Sequence, residues 1–233
     1  MKNAFVTGAN RGLGKGFVDY LLDTGYTVFG GVRKFPKETN KNKNLIYIQL
    51  DVTDDTAIDL AVDNVSKYTN KLDLLINNVG ISKDSTKLFN VSSVSRLDML
   101  DRKSLLKMFD VNSVSPMIII SRFLKLLQSD SSFVINITSS RASYQDEYEN
   151  QTGNYGYRGS KCALNMLTYN STWDLPANIK IVAVDPGSIK TDMDPEGDNF
   201  PYDQAKKIID IINNWKDEFN GKFLRYSGEL YPL

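Results

Sequence analysis

The chain contains no histidine and a single cysteine, Cys162, among its 233 residues. Most acid–base sites that work near neutral pH use an imidazole, and many catalytic metal sites take histidine as a ligand. The sequence therefore excludes Ser-His-Asp hydrolases, Cys-His proteases and His-ligated metal enzymes, and we expect no metal site. Any proton transfer must use tyrosine, lysine, a carboxylate or water.

The composition also lacks an excess of either charge, since 28 basic residues balance 28 acidic ones. Proteins that bind nucleic acid or anionic membranes usually carry a basic excess or a basic face, so neither partner is expected. The longest apolar run, Met117–Ile120, is too short to cross a bilayer, and the segment before Gly8 is too short for a signal peptide. One cysteine forms no internal disulfide. These features predict a cytoplasmic protein.

Short apolar runs alternate with stretches of helical periodicity, which predicts a parallel sheet with crossover helices. We predict one α/β domain over residues 1–233, a doubly wound Rossmann-type sheet of about seven strands with helices on both faces. The predicted strands are Ala4–Thr7, Thr27–Val32, Leu45–Gln49, Leu72–Asn77, Phe133–Thr138, Ile179–Asp185 and Phe223–Leu224. The predicted helices are Leu13–Thr24, Asp54–Lys67, Ser104–Gln128, Tyr155–Trp173 and Tyr202–Asn214, and Pro116 is expected to bend or divide the third.

Three loop-like segments, residues 81–102, 141–154 and 192–201, follow predicted strands. Because open parallel sheets bind ligands at the carboxyl edge, these segments are expected to cover a substrate. The second segment holds Tyr144, Asp146, Glu147, Tyr148 and Glu149, and it is expected to shape either a substrate entrance or a subunit contact. The third is acidic, which disfavours bulky anionic substrates.

A glycine-rich turn joins the first predicted strand to the first helix, in the sequence Thr7-Gly-Ala-Asn-Arg-Gly-Leu-Gly14. Glycines at such a junction let the backbone approach a pyrophosphate, and the N-terminus of the helix favours the anion. A P-loop is not expected, because Lys15 is followed by Gly16 instead of serine or threonine. Taken alone, the turn is also compatible with a purely structural role.

Tyr157 and Lys161 are four residues apart in a predicted helix, so their side chains lie on one face. A free tyrosine has a pKa of about 10, and a nearby ammonium group stabilises the phenolate. The pair therefore supplies the acid–base group that a chain without histidine lacks. The alternative for this motif alone is a pair on the helix surface. Tyr155 is a poorer candidate, because the residue four positions on is Gly159.

Seven short motifs occur in an order that resembles the short-chain dehydrogenase/reductase family. They are Thr7-Gly8-x3-Gly12-x-Gly14, Asp51-Val52, Asn77-Asn78-Val79-Gly80, Asn112, Ser139, Tyr157-x3-Lys161 and Pro186-Gly187. The match extends from position 4 to about position 225. Within the family, the segments Tyr157–Met166 and Gly221–Gly228 look most like those of the C-factor and sniffer-type carbonyl reductases. The resemblance implies an oxidoreductase that uses a nicotinamide cofactor.

The resemblance also implies a role for each site residue. Tyr157 is the acid–base group, Lys161 tunes its pKa and contacts the ribose, Ser139 stabilises the substrate carbonyl oxygen, and Asn112 anchors a water in a proton relay. Ser140 competes with Ser139, and Asn112 is alternatively a buried group bonded to backbone. The expected cofactor contacts are Gly8, Asn10, Arg11, Gly12, Leu13, Arg33, Asp51, Val52, Asn78, Val79, Gly80, Tyr157, Lys161, Pro186, Gly187, Ile189 and Thr191.

The end of the second predicted strand favours NADP over NAD. A carboxylate there bonds the ribose 2′-hydroxyl and repels a 2′-phosphate, whereas arginine accommodates the phosphate. Arg33 and Lys34 follow this strand, the first acid after them is Glu38, and Arg11 supplies another cation. The family resemblance implies that Asp51 meets the adenine amino group. The alternative is that Arg33 and Lys34 are solvated charges and Asp51 a strand-end cap.

We therefore expect hydride transfer between NADPH and a small aldehyde, ketone or quinone, or the reverse oxidation of an alcohol. The alternative is a nucleotide-binding protein with little turnover and a signalling or redox-sensing role. The helices Ser104–Gln128 and Tyr155–Trp173 carry more apolar residues than one buried stripe needs, which in this family predicts a homodimer or homotetramer.

Overall fold

The computed structural model describes residues 2–37, 42–82, 97–145, 154–192 and 194–233. These residues form a sheet of seven parallel strands in the order β3-β2-β1-β4-β5-β6-β7. The strands are β1 (Asn3–Thr7), β2 (Thr27–Val32), β3 (Leu45–Gln49), β4 (Leu74–Asn77), β5 (Ser132–Ile137), β6 (Ile179–Asp185) and β7 (Phe223–Arg225). The predicted Rossmann-type sheet is confirmed, and its strand order reverses between β1 and β4.

Helices cover both faces of the sheet. They are α1 (Gly12–Asp23), α2 (Asp55–Ser66), α3 (Arg102–Phe109), α4 (Ser115–Phe123), α5 (Tyr155–Ser171) and α6 (Pro201–Asn213). Neighbouring residues of β1 enter different cores: Val6 packs in the cluster that contains residues of α1 and α6, and Phe5 in the cluster that contains residues of α2 and α4. Burial on both faces explains why the strands read as continuous apolar runs.

The start of α2 shows how the local sequence sets an element. The Asp54 side chain accepts hydrogen bonds from the backbone N–H groups of Thr56, at 2.9 Å, and Ala57, at 3.2 Å. These bonds satisfy donors that have no partner within the helix. Residues at helical spacing then face the core, namely Ile58, Ala61, Val62 and Val65. The cap and the apolar face together account for the helix that the sequence predicts over Asp54–Lys67.

The predicted helix Ser104–Gln128 is divided. A π-helical segment, Asp110–Val114, separates α3 from α4, and the N–H of Ser115 donates to the carbonyl of Asp110. Pro116 lies in the first turn of α4 and has no N–H to donate to the preceding turn. The sequence predicts this division correctly, but the helix breaks before Pro116 and not at it. Pro116 has no N–H, so the carbonyl group that lacks a donor belongs to the preceding turn.

Strand β4 is shorter than predicted. The sequence suggests a strand from Leu72, whereas β4 begins at Leu74. Leu72 is buried, but its N–H donates to the carbonyl of Leu126, outside the sheet. An apolar pattern in a sequence indicates which residues are buried, but it does not indicate which backbone groups form the hydrogen bonds of the sheet.

No helix within the described residues is long and apolar enough to span a membrane. In the same part of the chain, no three His, Cys, Asp or Glu residues are grouped so that they could hold a metal ion. Cys162 is a free cysteine.

Candidate active site

A cleft of about 1640 Å³ lies along the carboxyl edge of the sheet. Every residue predicted to contact the cofactor lines it, and so do Ser139, Tyr157 and Lys161. These residues come from the ends of β1, β2, β3, β4, β5 and β6 and from the start of α5, so the parallel topology brings them together. Asn112 is the one predicted site residue that is not part of the lining.

In the turn after β1, the positions of Gly8 and Gly14 have no room for a side chain. Gly8 has a φ of +68°, which favours glycine, and a Cβ atom at Gly14 would overlap the carbonyl oxygen of Gly8. Thr7 fixes the neighbouring segment after β4, because its Oγ1 accepts hydrogen bonds from the N–H groups of Asn78, at 2.9 Å, and Val79, at 3.1 Å. The backbone around the turn is therefore tightly held and open toward the cleft.

Asp51 is held in place by hydrogen bonds at the end of the cleft near β2 and β3. Its Oδ1 accepts hydrogen bonds from the backbone N–H of Thr53, at 3.0 Å, and from the Thr53 hydroxyl, at 2.9 Å. Burial raises the pKa of Asp51, but the Thr53 bonds and the charges of Arg33 and Lys107 together hold it below its ordinary value. Asp51 is an ionised carboxylate close to Arg33.

Arg11 has a partner that the sequence did not reveal. Its Nη1 lies 3.0 Å from Oδ2 of Asp192, which follows β6, 181 residues further along the chain. Both side chains are exposed, so the pair is weak. The pair directs Arg11 toward the loop after β6, whereas Arg33 is the cation beside Asp51.

The Tyr157 hydroxyl lies close to the Ser139 side chain. Burial raises the pKa of Tyr157, and the carboxylate of Asp185 raises it further, while the Ser139 side chain and the charge of Arg141 lower it. The net effect is a pKa above the ordinary value of 10.0, so the tyrosine holds its proton at neutral pH. Of the two neighbouring serines, Ser139 is the one whose side chain affects the pKa of Tyr157, and its catalytic role stays a prediction.

Lys161 is 3% exposed, and its amine lies within the site. Nζ donates a 2.7 Å hydrogen bond to the carbonyl oxygen of Ile137, at the end of β5. Nζ also lies 3.3 Å from the point where a Cβ atom of Gly80 would be, so glycine at this position leaves room for the amine. Burial lowers the pKa of Lys161 to about 8.

Asn112 is fully buried in the π-helical segment. Its Oδ1 accepts from the N–H of Ile81 at 2.8 Å, and its Nδ2 donates to the Ile81 carbonyl and the Ser160 hydroxyl, each at 2.9 Å. The side chain therefore ties the segment after β4 to α5. This agrees with the alternative of a buried group bonded to backbone, and the proton relay through Asn112 stays a prediction.

Several lining residues were missed in the sequence. Asp185 accepts a 2.9 Å hydrogen bond from the N–H of Ser140, and its place just before Pro186-Gly187 was an available signal. Arg225 reaches the cleft because β7 pairs with β6, in a register that sets Asp185 opposite Arg225. Other residues of the cleft lining that the sequence pattern did not single out are Arg141, Asn154, Tyr226 and Tyr231.

The predicted substrate segments are described only in part. Three parts of these segments lie outside the described residues, namely 83–96, 146–153 and Met193. The second part includes Asp146, Glu147, Tyr148 and Glu149. Glu38 also lies outside the described residues. Asp192 and Asp194 of the third segment line the cleft, and the role of this segment in covering a substrate stays a prediction. Tyr155 and Tyr144 are exposed at the surface.

Comparison with known proteins identifies the family. The family model described as short chain dehydrogenase matches residues 2–199. The chain belongs to the short-chain dehydrogenase/reductase family. This confirms the resemblance seen in the motifs and makes the protein an oxidoreductase of that family.

This short-chain dehydrogenase/reductase is similar to several characterised structures and proteins. An NADPH-bound carbonyl reductase from chicken fatty liver is 30% identical, with a TM-score of 0.88 over 100% of this chain and 99% of that chain. Carbonyl reductase Sniffer of D. melanogaster is 26% identical, with a TM-score of 0.86 over 100% of both chains. C-signal of Myxococcus xanthus is 30% identical over 167 residues, 70% of this chain and 94% of that protein.

Proposed function

We propose that this enzyme reduces small aldehydes, ketones or quinones with NADPH, or oxidises the corresponding alcohols with NADP. One observation carries the proposal: the Tyr157 and Ser139 hydroxyls and the Lys161 amine line one cleft with the glycine turn and Arg33. The likeness to an NADPH-bound carbonyl reductase from chicken supports the same activity.

The cleft fits a dinucleotide at the glycine turn. The turn at Gly8 and Gly14 excludes side chains, and the N-terminus of α1 that follows it favours a pyrophosphate. Asn10, Gly12 and Leu13 would contact the same group, and Asn78, Val79 and Gly80 would line the ribose side.

The two ends of the dinucleotide would meet different residues. Arg33 would bind the 2′-phosphate in a charge-assisted contact, and Asp51, with Val52 beside it, would accept a hydrogen bond from the adenine amino group. Pro186, Gly187, Ile189 and Thr191 would hold the nicotinamide end. A bound nicotinamide cofactor supplies or accepts the hydride.

The residues of the chain supply the proton and the oxygen contacts. Tyr157 holds its proton at neutral pH and donates it to the carbonyl oxygen of the substrate. Ser139 donates a hydrogen bond to the same oxygen and stabilises the developing negative charge. Lys161, with a pKa of about 8, stabilises the phenolate and returns a proton, and Asn112 anchors the water that connects Lys161 to solvent.

The proposed activity is tested by following NADPH oxidation with a panel of small aldehydes, ketones and quinones. Saturable turnover that depends on the carbonyl compound supports the reductase. A second candidate is a signalling protein with low turnover, which the similarity to a protein named C-signal favours. Binding of NADPH without oxidation across the panel would favour that candidate and contradict the reductase.

We also propose that the enzyme is a homodimer or homotetramer in the cytoplasm. Leu106 on α3, Met166 and Tyr169 on α5 and Trp173 just beyond it are exposed apolar residues on the helices that the sequence singled out. The lone free thiol of Cys162 suits a reducing compartment. Sedimentation of a monomer at micromolar concentration would contradict the assembly.

A further inference from the structure

The turn Pro186-Gly187, which follows β6, is built from two residues that do little to hold their own backbone in place. Pro186 has no N–H to donate, and Gly187, with a φ of +70°, belongs to the most flexible residue type. Both residues line the cleft, and both are proposed above to hold the nicotinamide end of the cofactor. The turn therefore needs support from another part of the chain to keep one conformation.

Gln204 on α6 provides this support. Its side chain is fully buried, and its Nε2 donates a 2.5 Å hydrogen bond to the carbonyl oxygen of Pro186. No other group among the described residues donates to this carbonyl. The same Nε2 lies 3.4 Å from the point where a Cβ atom of Gly187 would be, and the Tyr226 ring lies 2.8 Å from that point. Two side chains thus enclose the turn.

The start of α6 is a rigid base for this contact. A Cβ atom at Gly16 of α1 would overlap the carbonyl oxygen of Pro201, the first residue of α6, so the two helices touch through their backbones. Helix α1 begins at Gly12, in the glycine turn that is proposed to bind the pyrophosphate. Gln204 therefore connects the turn after β6 to the pair of helices that carries the pyrophosphate site.

We propose that Gln204 is a positioning residue, which fixes the Pro186-Gly187 turn in the conformation that receives the nicotinamide ring. Gln204 is not part of the cleft lining, so it acts through the turn. A turn that is already ordered loses less conformational freedom when a ligand binds, so the hydrogen bond should strengthen binding of the nicotinamide half alone. This inference rests on the NADP-dependent activity proposed above and adds a residue that orients the ring for hydride transfer.

Two variants separate positioning from a general effect on the fold. Gln204→Met keeps the length of the side chain but has no donor for the Pro186 carbonyl. Thr168→Val is the matched control, since valine has nearly the shape of threonine and lacks the hydroxyl. Thr168 is also fully buried, its hydroxyl donates to the Leu164 carbonyl at 2.7 Å, and it is not part of the cleft lining.

The first measurement needs no turnover. Calorimetry gives the Kd of NADP and the Kd of adenosine 2′,5′-bisphosphate, which carries the 2′-phosphate but lacks the nicotinamide half. Gln204→Met should raise the Kd of NADP about tenfold, as expected for the loss of one hydrogen bond, and leave the Kd of the bisphosphate unchanged. Unchanged binding of the bisphosphate also shows that the variant is folded. Thr168→Val should change neither Kd.

Two results of this measurement would overturn the inference. An equal rise in both Kd values for Gln204→Met would show a general structural role, and no rise in either would show that the turn is held without Gln204.

A kinetic measurement separates failure of this inference from failure of the proposed activity. At saturating NADPH, the kcat of Gln204→Met should fall about tenfold while the KM for the carbonyl compound stays the same, because hydride transfer depends on the orientation of the ring. An unchanged kcat would overturn the inference. If the wild type reduces no carbonyl compound, the proposed activity fails, and the two Kd values still decide whether Gln204 positions the turn.

Discussion

The Lys161 amine lies 6.0 Å from the centre of the Tyr157 ring, one helical turn away on α5. Its hydrogen bond goes to Ile137, so the amine is held by the sheet and not by the tyrosine. Burial brings the pKa of Lys161 to about 8, while the pKa of Tyr157 is raised. Two groups with different affinities for a proton are thus placed side by side in a chain that has no imidazole.

Replacing Lys161 should change how stability depends on pH. Its folded pKa of about 8 is below the ordinary value of 10.5, so between these two pH values the unfolded chain binds a proton that the folded chain has released. Stability therefore rises with pH across this window, by up to about 3 kcal/mol. The rise should be absent from Lys161→Met, as measured by urea unfolding at pH 7, 8, 9 and 10.

The control for this prediction is Lys206→Met, since Lys206 is exposed on α6. Its pH dependence of unfolding should match that of the wild type. An identical pH dependence in Lys161→Met and the wild type would show that the amine is not buried as described.

Asp185→Asn should move the pH profile of carbonyl reduction. Asp185 raises the pKa of Tyr157, which faces Ser139, Arg141, Asp185 and the amine of Lys161. Removing the carboxylate charge lowers the pKa of Tyr157. Because reduction needs the protonated tyrosine, kcat/KM should begin to fall at a lower pH than in the wild type. If kcat/KM of Asp185→Asn begins to fall at the same pH as that of the wild type, this electrostatic role is contradicted.

Arg33 and Arg11 should differ in their effect on cofactor choice. Arg33→Gln should raise the Kd for NADP about tenfold or more and leave the Kd for NAD nearly unchanged, because only NADP carries the 2′-phosphate. Arg11→Gln should have the smaller effect, because Arg11 is paired with Asp192. Fluorescence titration of both cofactors measures this. Equal losses of NAD and NADP affinity in Arg33→Gln would contradict the assignment.

Much of the fold could be predicted because burial and periodicity are local. The bounds of β2, β3 and β6 agree with the sequence pattern, since their apolar runs end where the strands end. The start of β4 could not be predicted, because Leu72 is as buried as the strand residues but donates elsewhere. The π-helical segment has no periodicity of its own, so only Pro116 signalled a break.

The residues of the candidate site also fall into those that could be predicted from the sequence and those that could not. Motif residues such as Tyr157, Ser139 and Lys161 could be named from sequence, because their spacing carries the chemistry. Asp185 was not singled out, although it directly precedes Pro186-Gly187, because its bond to the Ser140 N–H joins elements that are distant in the chain. Contacts between elements distant in the chain leave no local pattern.

The most direct test of the proposed mechanism is the Tyr157→Phe variant, assayed for NADPH-dependent carbonyl reduction together with NADPH affinity. The substitution removes one hydroxyl and keeps the ring. We predict that kcat falls by about a thousandfold while the Kd for NADPH changes little, because the hydroxyl acts on the substrate oxygen. Reduction at the wild-type rate by Tyr157→Phe would contradict the mechanism.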